Sequence, residues 1–167
     1  MKKNNCQSKG HHRIIQIFTS WRFVFFLIWK LPMGFLARLR VQKLNTKNCH
    51  VTVPYNYCNK NPFNSMYFAV QAMAAELSTG ALVLLHVDGF NISSLVTNLD
   101  SKYYKKATSK VEFICLDGEK ILDAVKQAYE TGEGCLCVTN TKGYDVHGTC
   151  VSEFQVTWSL KKRKQFK

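Results

Sequence analysis

The sequence predicts an α+β fold in which one antiparallel sheet wraps a single long central helix. Two observations carry this. The stretch Asn61-Pro-Phe-Asn-Ser-Met-Tyr-Phe-Ala-Val-Gln-Ala-Met-Ala-Ala-Glu76-Leu-Ser-Thr-Gly80 reads as a polar loop feeding a helix that is apolar on every side. A helix of that kind belongs at the buried centre of a fold. Strand-length segments then follow with only one short helix among them, and without the βαβ alternation of a parallel sheet.

Taken in order, residues 12–30 suit an amphipathic to largely apolar helix that docks on the domain, with an interfacial membrane helix as the alternative. Its core, Phe23-Val-Phe-Phe-Leu-Ile-Trp29, is too short to span a bilayer and is followed by no small-x-small cleavage site. Residues 38–53 suit a first strand, whose latter half alternates Cys49, Val51 and Val53 against His50 and Thr52. Pro54 and the Asn/Pro-rich segment 56–64 form a loop. Ser65 is the expected N-cap of the long helix, which runs through Leu85 before Asp88-Gly89 turns the chain.

Residues 93–106 read as the second strand, with Leu95, Thr97 and Leu99 on one face, and 111–116 as the third. Ile121, Leu122, Val125, Ala128 and Tyr129 share one face of a second helix, 119–131, which Gly132 and Gly134 stop. Strands at 135–142 and 149–161 complete a five-stranded sheet. The last alternates Phe154, Val156, Trp158 and Leu160 inward against Glu153, Gln155, Thr157 and Ser159 outward. Residues 1–30 thus form a basic tail and docking helix, 31–160 the domain, and 161–167 a basic tail.

Lys and Arg number 23 against 11 Asp and Glu, a net charge of +12. Nine of the basic residues lie in 1–13 and 161–167. Solvated tails are the plain reading, and weak contact with an anionic membrane surface is the sharper one. No interleaved aromatic-basic motif points to nucleic acid. The seven cysteines are odd in number and scattered, which suits a reducing cytoplasm. Cys135 and Cys137, two apart on a strand, share a face as small buried hydrophobes. His50, His86 and His147 show no metal-ligand spacing, and the sequence calls for no metal or cofactor.

Asn61 and Glu76 stand fifteen residues apart, and here the sequence resembles hotdog-fold acyl-CoA thioesterases of the phenylacetyl-CoA type. Those enzymes carry an Asn before the helix, a backbone N–H near its start and a Glu or Asp fifteen residues after the Asn. Asn61-Pro-Phe-Asn-Ser-Met-Tyr67 and Ala74-Ala-Glu-Leu-Ser-Thr-Gly80 are further similar to an uncharacterised bacterial branch of the superfamily. So are Val96-Thr-Asn98, Lys105-Lys-Ala107 and Thr131-Gly-Glu-Gly134. The resemblance covers roughly residues 30–160. It implies a homodimer or dimer of dimers with sites between subunits, Asn61 and Glu76 coming from opposite chains.

The resemblance assigns Glu76 as general base or nucleophile, Asn61 as positioning amide and the Phe68 backbone N–H as oxyanion donor. The substrate is then an acyl-CoA or acyl-carrier-protein thioester. Glu76 otherwise reads as a structural carboxylate paired with a Lys or a backbone amide, and Asn61 as a turn former before Pro62. Thr97 falls on the strand where related enzymes place a Ser or Thr near the attacking water. Tyr67, Gln71, Thr79 and Gly80 are candidates for lining the substrate site, with core packing as the alternative for Tyr67 and backbone satisfaction for Gln71. Where most such enzymes have a His-Gly-Gly-like helix start, this chain has Tyr67-Phe-Ala69, which motivates a non-catalytic acyl-thioester-binding protein as the second reading. Neither His86 nor His147 is followed by the Pro-Gly of the hotdog dehydratases.

Overall fold

The computed structural model describes the backbone from Lys2 to Arg163 and the side chains from Gly10 to Arg163. Lys2, Lys3, Cys6 and Lys9, as side chains, and residues 164–167 lie outside that description. Three helices lead: α1 (Lys2–Phe18), α2 (Arg22–Lys30) and α3 (Pro32–Leu36). Strands β1 (Arg40–Leu44) and β2 (Cys49–Val53) precede the central helix α4 (Phe68–Val87). Then come β3 (Ile92–Tyr103), β4 (Val111–Cys115), α5 (Gly118–Thr131), β5 (Cys135–Tyr144) and β6 (Cys150–Lys162).

Every strand pairing is antiparallel, in the order β1-β2-β4-β5-β6-β3. The sheet curls around α4, and this is the hotdog fold expected from the sequence. Val51, Val53, Phe113, Phe154, Val156 and Leu160 close on Ala74, Ala75, Leu82 and Leu85 of α4, all wholly buried. That helix is long and apolar enough to cross a membrane, but most of it is buried inside the domain, as a core helix is. Ser78, itself buried, fastens it to the sheet, donating its hydroxyl to Ala75 O at 2.7 Å and accepting from the Thr141 hydroxyl at 2.9 Å.

The sheet has six strands, not five. The expected strand at 38–53 is broken by a turn in which Asn45 Oδ1 accepts from the N–H groups of Lys47 (2.8 Å) and Asn48 (2.9 Å). Side-chain closure of this kind is what Asn offers a hairpin. The single helix expected over 12–30 is likewise divided. Thr19 and Ser20 hydroxyls donate back to Ile15 and Ile17 carbonyls, and Ser20 Oγ accepts from Arg22 N–H. Such side-chain bonds compete with the helical ladder.

The cap of α4 also differs. Ser65 donates its hydroxyl to Asn61 instead, and the N-cap position is Tyr67, without a side-chain bond. The chain stays extended up to it because Met66 N–H bonds Ala107 O and Tyr67 N–H bonds Asn59 O, both at 2.8 Å. At the C-terminal end of β6, Lys161 and Lys162 continue the strand opposite Ser93 and Ile92, so the basic tail begins inside the sheet. Helix α5 ends where expected, with Gly132 left-handed at φ 75°.

Cys137 is buried and Cys135 half-buried on the same face of β5. Cys49 and Cys115 face each other across β2 and β4, free and buried. Burial lifts both thiols, that of Cys115 to about 12, which makes them inert packing groups. Gly143 on β5 leaves room for the Phe113 ring, since a Cβ there would lie 2.7 Å from it and 3.0 Å from Ser152 Oγ. Gly143→Ala is therefore expected to lower stability by about 1–3 kcal/mol, the range for overpacking a tight core. Urea unfolding of the purified variant checks this.

Candidate functional site

Glu76 sits midway along α4 because the helix supplies its position and the curled sheet its surroundings. The carboxylate is half-buried in a cavity of about 230 Å³ whose walls include Phe18, Phe26, Leu31, Leu84, Ser94 and Trp158. Among the described residues no hydrogen bond or ion pair reaches it. The reading of Glu76 as one half of a structural pair therefore has no partner here, although Lys30 lines the same cavity. Burial alone favours the neutral acid and raises its pKa above the ordinary value of 4.5.

Gly80, one turn further on, forms the floor beneath the carboxylate. A Cβ at this position would stand 3.1 Å from Glu76 Oε1 and 3.3 Å from the Trp158 ring. Thr79 is wholly buried, and its hydroxyl accepts from Trp158 Nε1 at 3.1 Å while donating to Glu76 O at 3.0 Å. Its hydroxyl thus holds the indole that walls the cavity.

Asn61 lies elsewhere. Its Oδ1 accepts from Phe63 N–H (3.0 Å), Ser65 N–H (3.3 Å) and Ser65 Oγ (3.2 Å), while Asn61 N–H bonds Ser65 O. Three donors around one oxygen fix the orientation of the amide. Asn64, left-handed at φ 55°, completes this loop. The Asn61 Nδ2 protons have no acceptor among the described residues, and neither does the Phe68 N–H at the head of α4. Asn61 and Phe68 line a second cavity of about 350 Å³, together with Gln71, Tyr103, Tyr104 and Lys105.

Gln71 is buried and spent, accepting from Ser152 Oγ at 2.8 Å and donating to Met66 O at 3.4 Å. Tyr67 is exposed and packs edge-on against Phe68. Within one chain the two halves of the expected site are therefore apart. Eight residues of helix, about 12 Å at 1.5 Å per residue, separate the Phe68 N–H from Glu76.

Thr97 does not reach the Glu76 cavity. The register between β3 and β6 slips between Val96 and Asn98, so Thr97 is the bulged residue, its hydroxyl donating to Thr157 O at 3.2 Å. The slip also separates the three residues expected on one face. Leu99 lies opposite the buried Val156 and shares its core-side face, whereas Leu95 pairs with Ser159 on the outer face. The hydroxyl that does line the cavity is Ser94, opposite Leu160. Sequence reasoning passed over Ser94 because only the pairing with β6 discloses its face.

Strand β3 is one of the two edges of the sheet. It pairs with β6 alone, and Ser94, Leu99, Ser101 and Tyr103 on its core-side face stay exposed although their β6 partners are buried. An edge of twelve residues with a bare inner face is a template for another strand.

Comparison with solved structures places this architecture. A Pseudomonas aeruginosa protein described as of unknown function and a probable thioesterase superposes with TM-score 0.74 at 22% identity, over 86% of this chain and 97% of its own. A Chlorobaculum tepidum protein of unknown function gives 0.73 at 16% identity, covering 85% and 93%. A Staphylococcus aureus thioesterase, solved with a glutamine-to-alanine change, gives 0.59 at 10% identity, covering 78% and 98%. A second structure of the Staphylococcus aureus protein carries a glutamate-to-alanine change fifteen positions further along. At these identities the likeness is one of fold. No curated protein matches the chain.

The raised Glu76 pKa has a consequence for stability. The folded state holds this proton more tightly than the unfolded chain, so stability falls as pH rises from 4.5 through the raised value. Glu76→Gln is expected to be more stable than wild type at about pH 8, with the difference vanishing at about pH 4; paired urea titrations at the two pH values measure it. The family described as Domain of unknown function (DUF4442) matches residues 19–160, and the chain belongs to it.

Proposed function

We propose that this protein is a cytoplasmic homodimeric thioesterase that hydrolyses an acyl-CoA or acyl-carrier-protein thioester. The observation that carries the reading is Glu76, a carboxylate without a partner among the described residues in an apolar-walled cavity, its pKa raised by burial. The ionised carboxylate is a stronger base there than in water, which suits it to take a proton from water. The fifteen-residue spacing to Asn61 supports it, as do the thioesterases among the structural neighbours and the same spacing between the two altered positions in one of them.

A second copy added along β3 would cover the bare inner face of that strand. It would bring Asn61 and the Phe68 N–H of one chain toward Glu76 of the other. Glu76 removes a proton from water, which adds to the thioester carbonyl. The Phe68 N–H, at the positive end of α4, stabilises the oxyanion, and Asn61 Nδ2 orients water or substrate. Collapse releases the thiolate, which regains the proton from Glu76, leaving a carboxylic acid and a thiol. Direct attack by Glu76 would proceed through a mixed anhydride that water then cleaves.

Glu76→Ala is expected to lower turnover of a responsive acyl-CoA by about 10²–10⁴-fold, the usual worth of a general base. A panel of acyl-CoA chain lengths assayed for thiol release tests it, and undiminished activity removes Glu76 from the mechanism. Site sharing has its own test in mixed dimers of Asn61→Asp and Glu76→Gln chains. If each site draws on both chains, half of the random dimers regain one intact site of two, about a quarter of wild-type activity. If each site is built within one chain, the mixture stays inactive.

The second reading, a non-catalytic acyl-thioester-binding protein, is favoured by Phe68. This residue is 56% exposed beside the N–H that the substrate must approach, where related enzymes have glycine. Tight acyl-CoA binding without turnover at any chain length would select it.

A further inference from the structure

Helix α2 is apolar on two faces, and only one is used. Phe23 and Leu27 are buried against the domain, and Phe26 lines the Glu76 cavity. The opposite face carries Trp21, Val24, Phe25, Ile28 and Trp29, spaced three and four apart so that they form one continuous stripe. All five are exposed, Trp21 at 71% and Trp29 at 82%. Met33 and Leu36 of α3 add to the exposed apolar surface. Scattered apolar residues on a surface need no explanation, but a contiguous patch marks an interaction site.

The charge distribution says what covers it. Residues 1–75 hold eleven Lys and Arg and no Asp or Glu, whereas the remainder holds twelve basic and eleven acidic residues. Nearly all the net charge therefore belongs to the part of the chain that bears the stripe. Arg22 and Lys30 sit at the two ends of α2, and Arg38 and Arg40 follow α3, all four exposed. Tryptophans at both ends of a short apolar face, ringed by cations, fit the boundary between headgroups and acyl chains. A nucleic acid would match the charge but not the aliphatic side chains between the tryptophans.

We infer that the outer face of α2 docks this protein on an anionic lipid bilayer, with Trp21, Phe25 and Trp29 entering the interface and the surrounding basic residues engaging acidic headgroups. Because the inner face of the same helix walls the Glu76 cavity, docking sets that cavity next to the bilayer. The consequence that lipid-soluble acyl thioesters reach it from there rests on the function proposed above. The docking does not.

Co-sedimentation of the full chain with phosphatidylcholine vesicles, with and without phosphatidylglycerol, tests the inference. Wild type is expected to pellet with the anionic vesicles and not with the neutral ones. Trp21→Ser/Phe25→Ser/Trp29→Ser is expected to lose at least tenfold in bound fraction while keeping its thermal unfolding midpoint. That variant should also keep wild-type hydrolysis of a soluble short-chain acyl-CoA, so that loss of docking and loss of the thioesterase are told apart. Wild type remaining in the supernatant with anionic vesicles overturns the inference. So does a light-scattering mass that falls to a smaller oligomer in the triple variant, which would assign the stripe to a second copy, or displacement of bound wild type by polyuridylic acid alone.

Discussion

Everything in this fold answers to the need to cover one helix. Residues 68–87 are mostly apolar, so α4 is stable only with most of its surface removed from water. At about 25 cal/mol per Å² of apolar area, burying Val70, Leu77, Leu82, Val83 and Leu85 of this helix stabilises the fold. The six strands bend because a flat sheet would cover one side only. Helix α5 and the N-terminal helices pack where the curled sheet leaves α4 open. Glu76 is the exception built into that helix, and the structure accommodates it with a glycine beneath, an indole beside it and no counterion among the described residues.

The same constraint accounts for how much the sequence revealed. The all-round apolar character of α4, the alternation along β6 and the one-sided pattern of α5 are direct imprints of burial, and each element was legible with its face. The turn at Asn45–Asn48 and the break at Thr19–Ser20 were not. Both depend on side-chain hydrogen bonds made by polar residues that patterns of hydrophobicity do not weigh. Ser65 looked like a cap because its type fits, yet Met66 and Tyr67 are held extended by bonds to residues distant in sequence.

For the candidate site the division is similar. Glu76 and Asn61 stood out through residue type and spacing. Gly80 was a candidate for lining the substrate site, and the group that lies close against it is the Glu76 carboxylate. Thr97 lies off the Glu76 cavity because a bulge in β3 changes which residues look inward, and a bulge leaves no mark in the alternation of this strand, where both faces are exposed. Ser94 and the outer stripe of α2 needed three dimensions. One is exposed by its register, the other by which side of a wholly apolar helix the domain happens to use.

Trp158 joins the core helix to the candidate site. Its indole is clamped by Thr79, lies against Gly80 and walls the Glu76 cavity, while the other two tryptophans stand on the surface of the N-terminal helices. A chain lacking those two would carry a single tryptophan, beside the Glu76 carboxylate. Its emission would then report the protonation of Glu76, and the arrival of an acyl group, without an added label.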